Sequence, residues 1–288
     1  MSFKAVIPAA GLGTRMLPAT KTVPKEMLPV FDRPAISYIV KEAVDAGIKD
    51  ILIISSRGKE SMENYFDKNY ELEERLKRDG KFDLLETITS TYNNARISFV
   101  RQIEPKGLGD AVLSAKTFVG NDPFAILYGD DIIAGKTPAV RQLMDVYKKT
   151  HCPVLGIKQV PHEKISRFGC VELEEKKNGL FKVLSMVEKP TVDKAPSDFA
   201  ILGRVIMTPD IFPILVEGIK GKNGEVQLTD AMSELLKRKD FYACPFKGTH
   251  FDTGNKVEFL RASIMAGLAS SERREVKEML RSIQHLIK

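Results

Sequence analysis

Lys4-Ala5-Val6-Ile7-Pro8-Ala9-Ala10-Gly11-Leu12-Gly13-Thr14-Arg15-Met16-Leu17-Pro18 passes from an apolar run into a loop of small residues. Ala5-Val6-Ile7 reads as a buried strand, and the segment from Pro8 to Pro18 leaves it directly. Small residues let backbone N–H groups approach a ligand closely, and consecutive N–H groups form an anion-binding concavity. Arg15, Lys21 and Lys25 add positive charge just beyond. Together they could hold a triphosphate. Two familiar phosphate motifs are excluded. In Gly-x-Gly-x-x-Gly the third glycine position is Met16, and Pro18 interrupts helix formation soon after. No Gly-x-x-x-x-Gly-Lys-Ser/Thr run occurs.

Outward from this loop, strand and helix signals alternate. Residues 35–46 carry Ile36, Ile39, Val40, Ala43 and Val44 at helical spacing, and Gly47 stands where a helix C-terminal cap is expected. Ile51–Ile54, Ile97–Val100 and Phe124–Tyr128 read as strands, 58–90 as charged helix and 108–118 as helix. Continuous apolar strands between amphipathic helices predict a parallel sheet covered on both faces. The second half predicts strands at 154–160, 200–207 and 241–247 and helices near 209–217 and 228–238. It also predicts a hairpin of 170–173 with 181–184 about Asn178-Gly179. The fold class is thus α/β: a mixed, mostly parallel sheet flanked by helices, with a small β extension. Residues 1–270 read as one domain. Residues 271–288 form a separate amphipathic helix, its stripe being Val276, Met279, Leu280, Ile283, Leu286 and Ile287. That stripe either packs on its own domain or makes a subunit contact.

Composition narrows the partners. There are 44 Lys+Arg against 38 Asp+Glu, a net charge of +6 that suits polyanionic ligands. The basic residues are dispersed among acids with no nucleic-acid-binding motif, so phosphorylated small molecules are expected instead. No apolar run approaches the roughly 18 residues of a membrane span, and the start is too short in its apolar part for a signal peptide. A cytoplasmic protein is expected. Cys152, Cys170 and Cys244 form no Cys-x-x-Cys pair, which argues against a disulfide framework or structural zinc. His151, His162, His250 and His285 have no metal-ligand spacing and are given structural or surface roles.

Further segments make a resemblance specific. Gly11-Leu12-Gly13-Thr14-Arg15 with Pro24-Lys25-Glu26-Met27 resembles the signature of sugar-phosphate nucleotidyltransferases. The Lys25-Glu26-Met27-Leu28-Pro29 continuation is similar to that of the bacterial UTP–glucose-1-phosphate uridylyltransferases. Gln102–Ala111, Gly129-Asp130-Asp131, Val187-Glu188-Lys189-Pro190 and Phe251-Asp252-Thr253-Gly254 follow in that family's order. The resemblance covers residues 3 to about 267 and implies a Rossmann-like sheet.

Roles follow from it residue by residue. Ala10, Gly11, Gly13, Thr14, Glu26, Gln102 and Gly107 are expected at the nucleotide. The Gln102 amide offers a donor and an acceptor to a pyrimidine edge. Gly169 and Glu188 are expected at the sugar, and Arg15, Lys25 and Lys189 at the phosphates. Asp130 is expected to ligate Mg²⁺, a hard cation that takes one or two carboxylates plus phosphate oxygens. Asp131 either assists or solvates the loop. Asp252 either joins the metal, directly or through water, or caps the helix starting near Asn255. The implied partners are UTP and glucose 1-phosphate, giving UDP-glucose and pyrophosphate in a homo-oligomer (dimer or tetramer). Two alternatives stand beside this: the same chemistry with dTTP, and a regulatory paralogue that binds sugar nucleotide without turnover.

Overall fold

A computed structural model describes residues 3–176, 179–219, 221 and 224–287. Asn178 of the expected turn and the side chain of Ile287 lie outside the described residues. Among the described residues, nine strands share one sheet: β1 (Lys4–Pro8), β2 (Asp50–Ser55), β3 (Arg96–Arg101), β4 (Phe124–Leu127) and β5 (Val154–Gln159), followed by β6 (Gly169–Lys176), β7 (Leu180–Glu188), β8 (Phe199–Met207) and β9 (Tyr242–Pro245). Their order is β3-β2-β1-β4-β8-β5-β9-β7-β6. From β3 to β4 every pairing is parallel. β8 then runs antiparallel to both β4 and β5. Beyond it β5 and β9 pair in parallel, whereas β9–β7 and β7–β6 are antiparallel. The expected parallel character therefore belongs to the first half, and the β extension is continuous with the main sheet.

The helices are α1 (Ala35–Asp45), α2 (Glu60–Phe66), α3 (Tyr70–Arg78), α4 (Phe82–Asn93), α5 (Leu108–Leu113) and α6 (Lys116–Val119). They continue with α7 (Ala139–Thr150), α8 (Ile211–Glu217), α9 (Leu228–Leu236), α10 (Lys256–Ala269) and α11 (Arg273–Ser282). Side chains of a strand alternate faces, so β1 feeds two cores. Ala5 and Ile7 join Ile36, Ile39 and Ala43 of α1 on one side. Val6 joins Val112 and Phe212 on the other. All three β1 residues are fully buried, which explains why their run does not alternate in polarity. The helix expected over 108–118 is two pieces. Bonds from Ser114 N to Ala111 O and from Ala115 N to Val112 O tighten the chain between them.

Two short ladders complete the frame. Asp131–Ala134 pairs antiparallel with Thr249–Asp252, setting Asp252 opposite Asp131. Pro29–Val30 pairs with Arg33–Pro34. On α11, Val276 and Leu280 are half-buried, and Val276 approaches where Gly267 of α10 lacks a side chain. Met279 and Leu286 stay exposed, so one side of the C-terminal stripe packs on the chain and the other is open. No helix among the described residues is long and apolar enough to cross a membrane.

Candidate active site

Gly13 adopts a left-handed conformation, φ 68°, before the 3₁₀ turn Thr14–Met16. Its carbonyl accepts the Thr20 hydroxyl at 2.8 Å. Lys25 opens another 3₁₀ turn, Lys25–Met27, and lies across both loop glycines. A Cβ on Gly13 would stand 3.2 Å from Lys25 Cβ, and one on Gly11 would stand 3.7 Å from its Nζ. Gly11, Thr14 and Arg15 are exposed, while Ala10 is buried and offers only its backbone.

Beneath the loop lies Lys59, a residue with no signal in the sequence. Its buried ammonium donates to Ala9 O, to Gly11 O at 2.7 Å and to Glu26 Oε2 at 2.8 Å, which uses all three donors. Because the peptide unit is planar and trans, holding those two carbonyls inward points the N–H groups of Ala10 and Leu12 outward. Glu26 was expected at the nucleotide, but its side chain is turned inward and fully buried. Burial raises the Glu26 pKa despite Lys59 and Lys25, and burial lowers that of Lys59.

The turn after β4 brings the carboxylates in. Tyr128 N bonds Gly203 O at 2.9 Å, and Gly129 N bonds Pro8 O at 3.1 Å. A Cβ on Gly129 would come within 2.7 Å of that Pro8 oxygen. Asp130 O accepts both the N–H and the hydroxyl of Thr253 at 2.8 Å. Its carboxylate then meets Lys25 Nζ at 2.6 Å and Arg15 Nη2 at 3.6 Å. Arg15 Nη1 reaches Asp252 Oδ2 at 3.0 Å, and Arg167 Nη2 stands 4.0 Å from the same oxygen. Asp252 Oδ1 accepts Gly254 N, while Asn255 itself caps α10 by accepting from Val257 N and Glu258 N. The cap is therefore Asn255, and Asp252 faces Arg15. Asp131 holds His250 Nε2 at 2.7 Å.

Charge in this cluster is mutually adjusted. Burial opposes the Lys25 ammonium, but Asp130 and Glu26 outweigh it and raise its pKa. Burial likewise opposes the Asp130 carboxylate, and Lys25 and Arg15 outweigh it and lower its pKa. The balance differs at Asp252, where burial, with Asp131 and Asp130, raises the pKa against Arg15. At His250 burial opposes protonation, but Asp131 prevails and raises the pKa.

The residues expected at the sugar and its phosphate lie together. Glu188 on β7 sits opposite Gly169 on β6. A Cβ on Gly169 would lie 3.3 Å from Glu188 Oε2, so the glycine makes room for that carboxylate. Lys189 has φ 41° and its ammonium is 3.2 Å from Glu188 Oε1. The half-buried Tyr128 phenol feels the charge of both groups: burial raises its pKa, and Glu188, Asp131 and Asp130 push it further. Gln102 follows β3 and donates to Gly107 O at 3.2 Å and Asp110 Oδ2 at 2.6 Å. Gly107 has φ 114°, and a Cβ there would lie 2.6 Å from Val226 O. The loop, Gln102 and Asp130 thus follow the C-terminal ends of β1, β3 and β4, where open α/β sheets bind ligands. A cavity of about 760 Å³ between α1, α2 and α4 holds none of these residues.

The donor set suits a hard divalent cation. No group of three or more His, Cys, Asp or Glu side chains able to hold a metal occurs among the described residues. An ion that keeps phosphate and water oxygens needs only one or two carboxylates, and Asp130 and Asp252, joined through Arg15, supply two.

The chain is similar to known proteins over nearly its whole length. Residues 4–266 match the nucleotidyl transferase family. The UTP–glucose-1-phosphate uridylyltransferase 1 of Staphylococcus saprophyticus is 47% identical over 281 residues, 97% of this chain and 98% of that protein. A crystal structure of UDP-glucose pyrophosphorylase complexed with UDP-glucose superposes with a TM-score of 0.86 at 40% identity, covering 94% of this chain and 100% of the other. The UTP-bound enzyme from Acinetobacter baumannii gives a TM-score of 0.90 at 38% identity, covering 97% and 99%. The chain belongs to the nucleotidyl transferase family.

Proposed function

We propose that the chain transfers the uridylyl group of UTP to glucose 1-phosphate, giving UDP-glucose and pyrophosphate. The observation that carries this is the contact of Lys25 with Asp130 beside the Gly11–Gly13 loop. A phosphate oxygen of glucose 1-phosphate attacks the α-phosphorus of UTP, and the bond to pyrophosphate breaks. That nucleophile is already ionised at neutral pH, so no general base is needed. The obstacle is repulsion between polyanions and charge growing on the leaving group, which positioning and fixed positive charge relieve. Lys25 neutralises the transferring phosphoryl group. Arg15 holds the β and γ phosphates, and Lys189 the attacking phosphate. Gln102 and Gly107 meet the uracil, and Gly169 and Glu188 the glucose. Asp130 and Asp252 would hold Mg²⁺, which when bound would withdraw charge from phosphate oxygens.

The test is pyrophosphate release with UTP, dTTP, CTP and ATP in turn, each with glucose 1-phosphate and Mg²⁺. UTP is expected to turn over fastest. Equal turnover of dTTP would reassign the base, and binding without turnover would make the chain a regulatory paralogue. A homo-oligomer in the cytoplasm belongs to the same reading. The exposed Met279 and Leu286 support the first, checked by size-exclusion chromatography with light scattering. The free thiols of Cys152, Cys170 and Cys244 support the second.

A further inference from the structure

A buried ion pair holds the Asp130 turn from behind. Arg204 on β8 is 0% exposed and Glu42 on α1 is 7% exposed. Arg204 Nε lies 3.1 Å from both Glu42 oxygens, and Nη2 lies 2.7 Å from Oε2. The remaining bonds go to backbone: Nη1 donates to Gly203 O at 2.9 Å, and Nη2 to Asp131 O at 2.7 Å. Glu42 Oε1 also accepts Val140 N, in the first turn of α7, at 3.0 Å.

Buried pairs of this kind add little net stability compared with apolar residues of the same volume. Their place in a core therefore calls for another reason. Here the carbonyl that Arg204 holds is that of Asp131, next to Asp130. Gly203 beside it has φ 54°, and any Cβ there would collide with the Asp131 carboxylate. β8 thus gives the turn both a guanidinium and the room to close on it. Gly129 N and Asp130 O are already fixed by Pro8 and Thr253.

We infer that Arg204 and Glu42 are positioning residues for the transfer: the pair fixes the Asp131 carbonyl so that the Asp130 carboxylate faces Lys25. This rests on the role given to Asp130 under Proposed function. The first test is the double variant Glu42→Met with Arg204→Met, which fills the volume without leaving a lone charge. It is expected to melt cooperatively. Its kcat should fall about 10- to 100-fold, the loss typical when a group supporting a metal ligand is removed. Half-saturation by Mg²⁺ should move to higher concentration, while KM for glucose 1-phosphate stays unchanged.

The second test is Arg204→Lys, which keeps the charge but not the fork that reaches the carboxylate and the Asp131 carbonyl together. The same split between kcat and KM is expected. Either variant folding with wild-type kcat and Mg²⁺ titration overturns the inference. So does failure of both to fold, which makes the pair purely structural. Asp130→Asn, assayed alongside, separates the two readings. An unchanged Mg²⁺ titration there removes the role of Asp130 itself. Loss of Mg²⁺ response there, with normal Arg204 variants, removes the positioning role alone.

Discussion

The ammonium of Lys25 lies 2.6 Å from Oδ2 of Asp130, although the two stand 105 positions apart in the chain. A cation from the glycine loop and a carboxylate from the end of β4 therefore meet at one point. Lys25→Ala is expected to lower kcat about 100- to 1000-fold, the cost of losing one preorganised electrostatic group. Circular dichroism should show the fold intact. Near-normal turnover would remove Lys25 from the chemistry.

Asp130→Asn should abolish activity or its dependence on Mg²⁺, read from initial rates across a metal titration. An unchanged titration would place the ion elsewhere.

The same pair fixes a pH window for stability. The Asp130 pKa is lowered on folding, so its contribution is present above the ordinary carboxylate value, about 3.9, and is lost as pH falls through the folded value. The Lys25 pKa is raised, so its contribution is full below about 10.4 and is lost as pH rises through the folded value. Melting temperatures of the wild type and of Lys25→Met with Asp130→Asn should differ most between those limits. The difference should close at both extremes. A gap constant with pH would show that the two groups stabilise through packing alone.

Asp252 predicts the opposite trade. Its folded pKa is raised, so its contribution to stability is full below the ordinary value and is lost as pH rises through the raised one. At neutral pH its ionisation works against the native state. Asp252→Asn should raise the melting temperature by a few degrees at pH 7 while reducing activity. A lowered melting temperature would mean that the Arg15 contact outweighs crowding by Asp131 and Asp130.

Lys59 is predicted to act through the loop it supports. Lys59→Met leaves the buried Glu26 carboxylate without its hydrogen-bonded cation and should cost about 3–5 kcal/mol in urea denaturation. Adding Glu26→Leu should restore most of that loss, yet KM for UTP should stay raised because Ala9 O and Gly11 O are no longer held. A normal KM in the double variant would show that the loop needs no strut.

Much of this was legible in the chain. The apolar triplet Ala5–Ile7 and the strand ending at Tyr128 announced themselves by composition, and the cationic loop and Asp130 stand at their ends. Glu26, expected at the nucleotide, is buried against Lys59 for a physical reason. Adjacent residues of a 3₁₀ turn project about 120° apart, so Lys25 and Glu26 cannot face the same way, and the sequence does not say which one faces inward. Lys59 and the Arg204–Glu42 pair had no signal, because their partners are backbone carbonyls or side chains 33 and 162 positions away. The ladder of 131–134 with 249–252 escaped notice because its four-residue strands are too short to show a period.

That ladder also sets an order of assembly. The last strand of the central sheet ends at Pro245, whereas Thr253, which ties down Asp130, and Asp252 both follow it. A polypeptide emerging from the ribosome therefore carries every strand of its main scaffold before it holds a complete centre. Fragments stopping near residue 248 would retain Lys25 and Asp130 yet lack the Thr253 bonds to Asp130 and the Asp252 carboxylate.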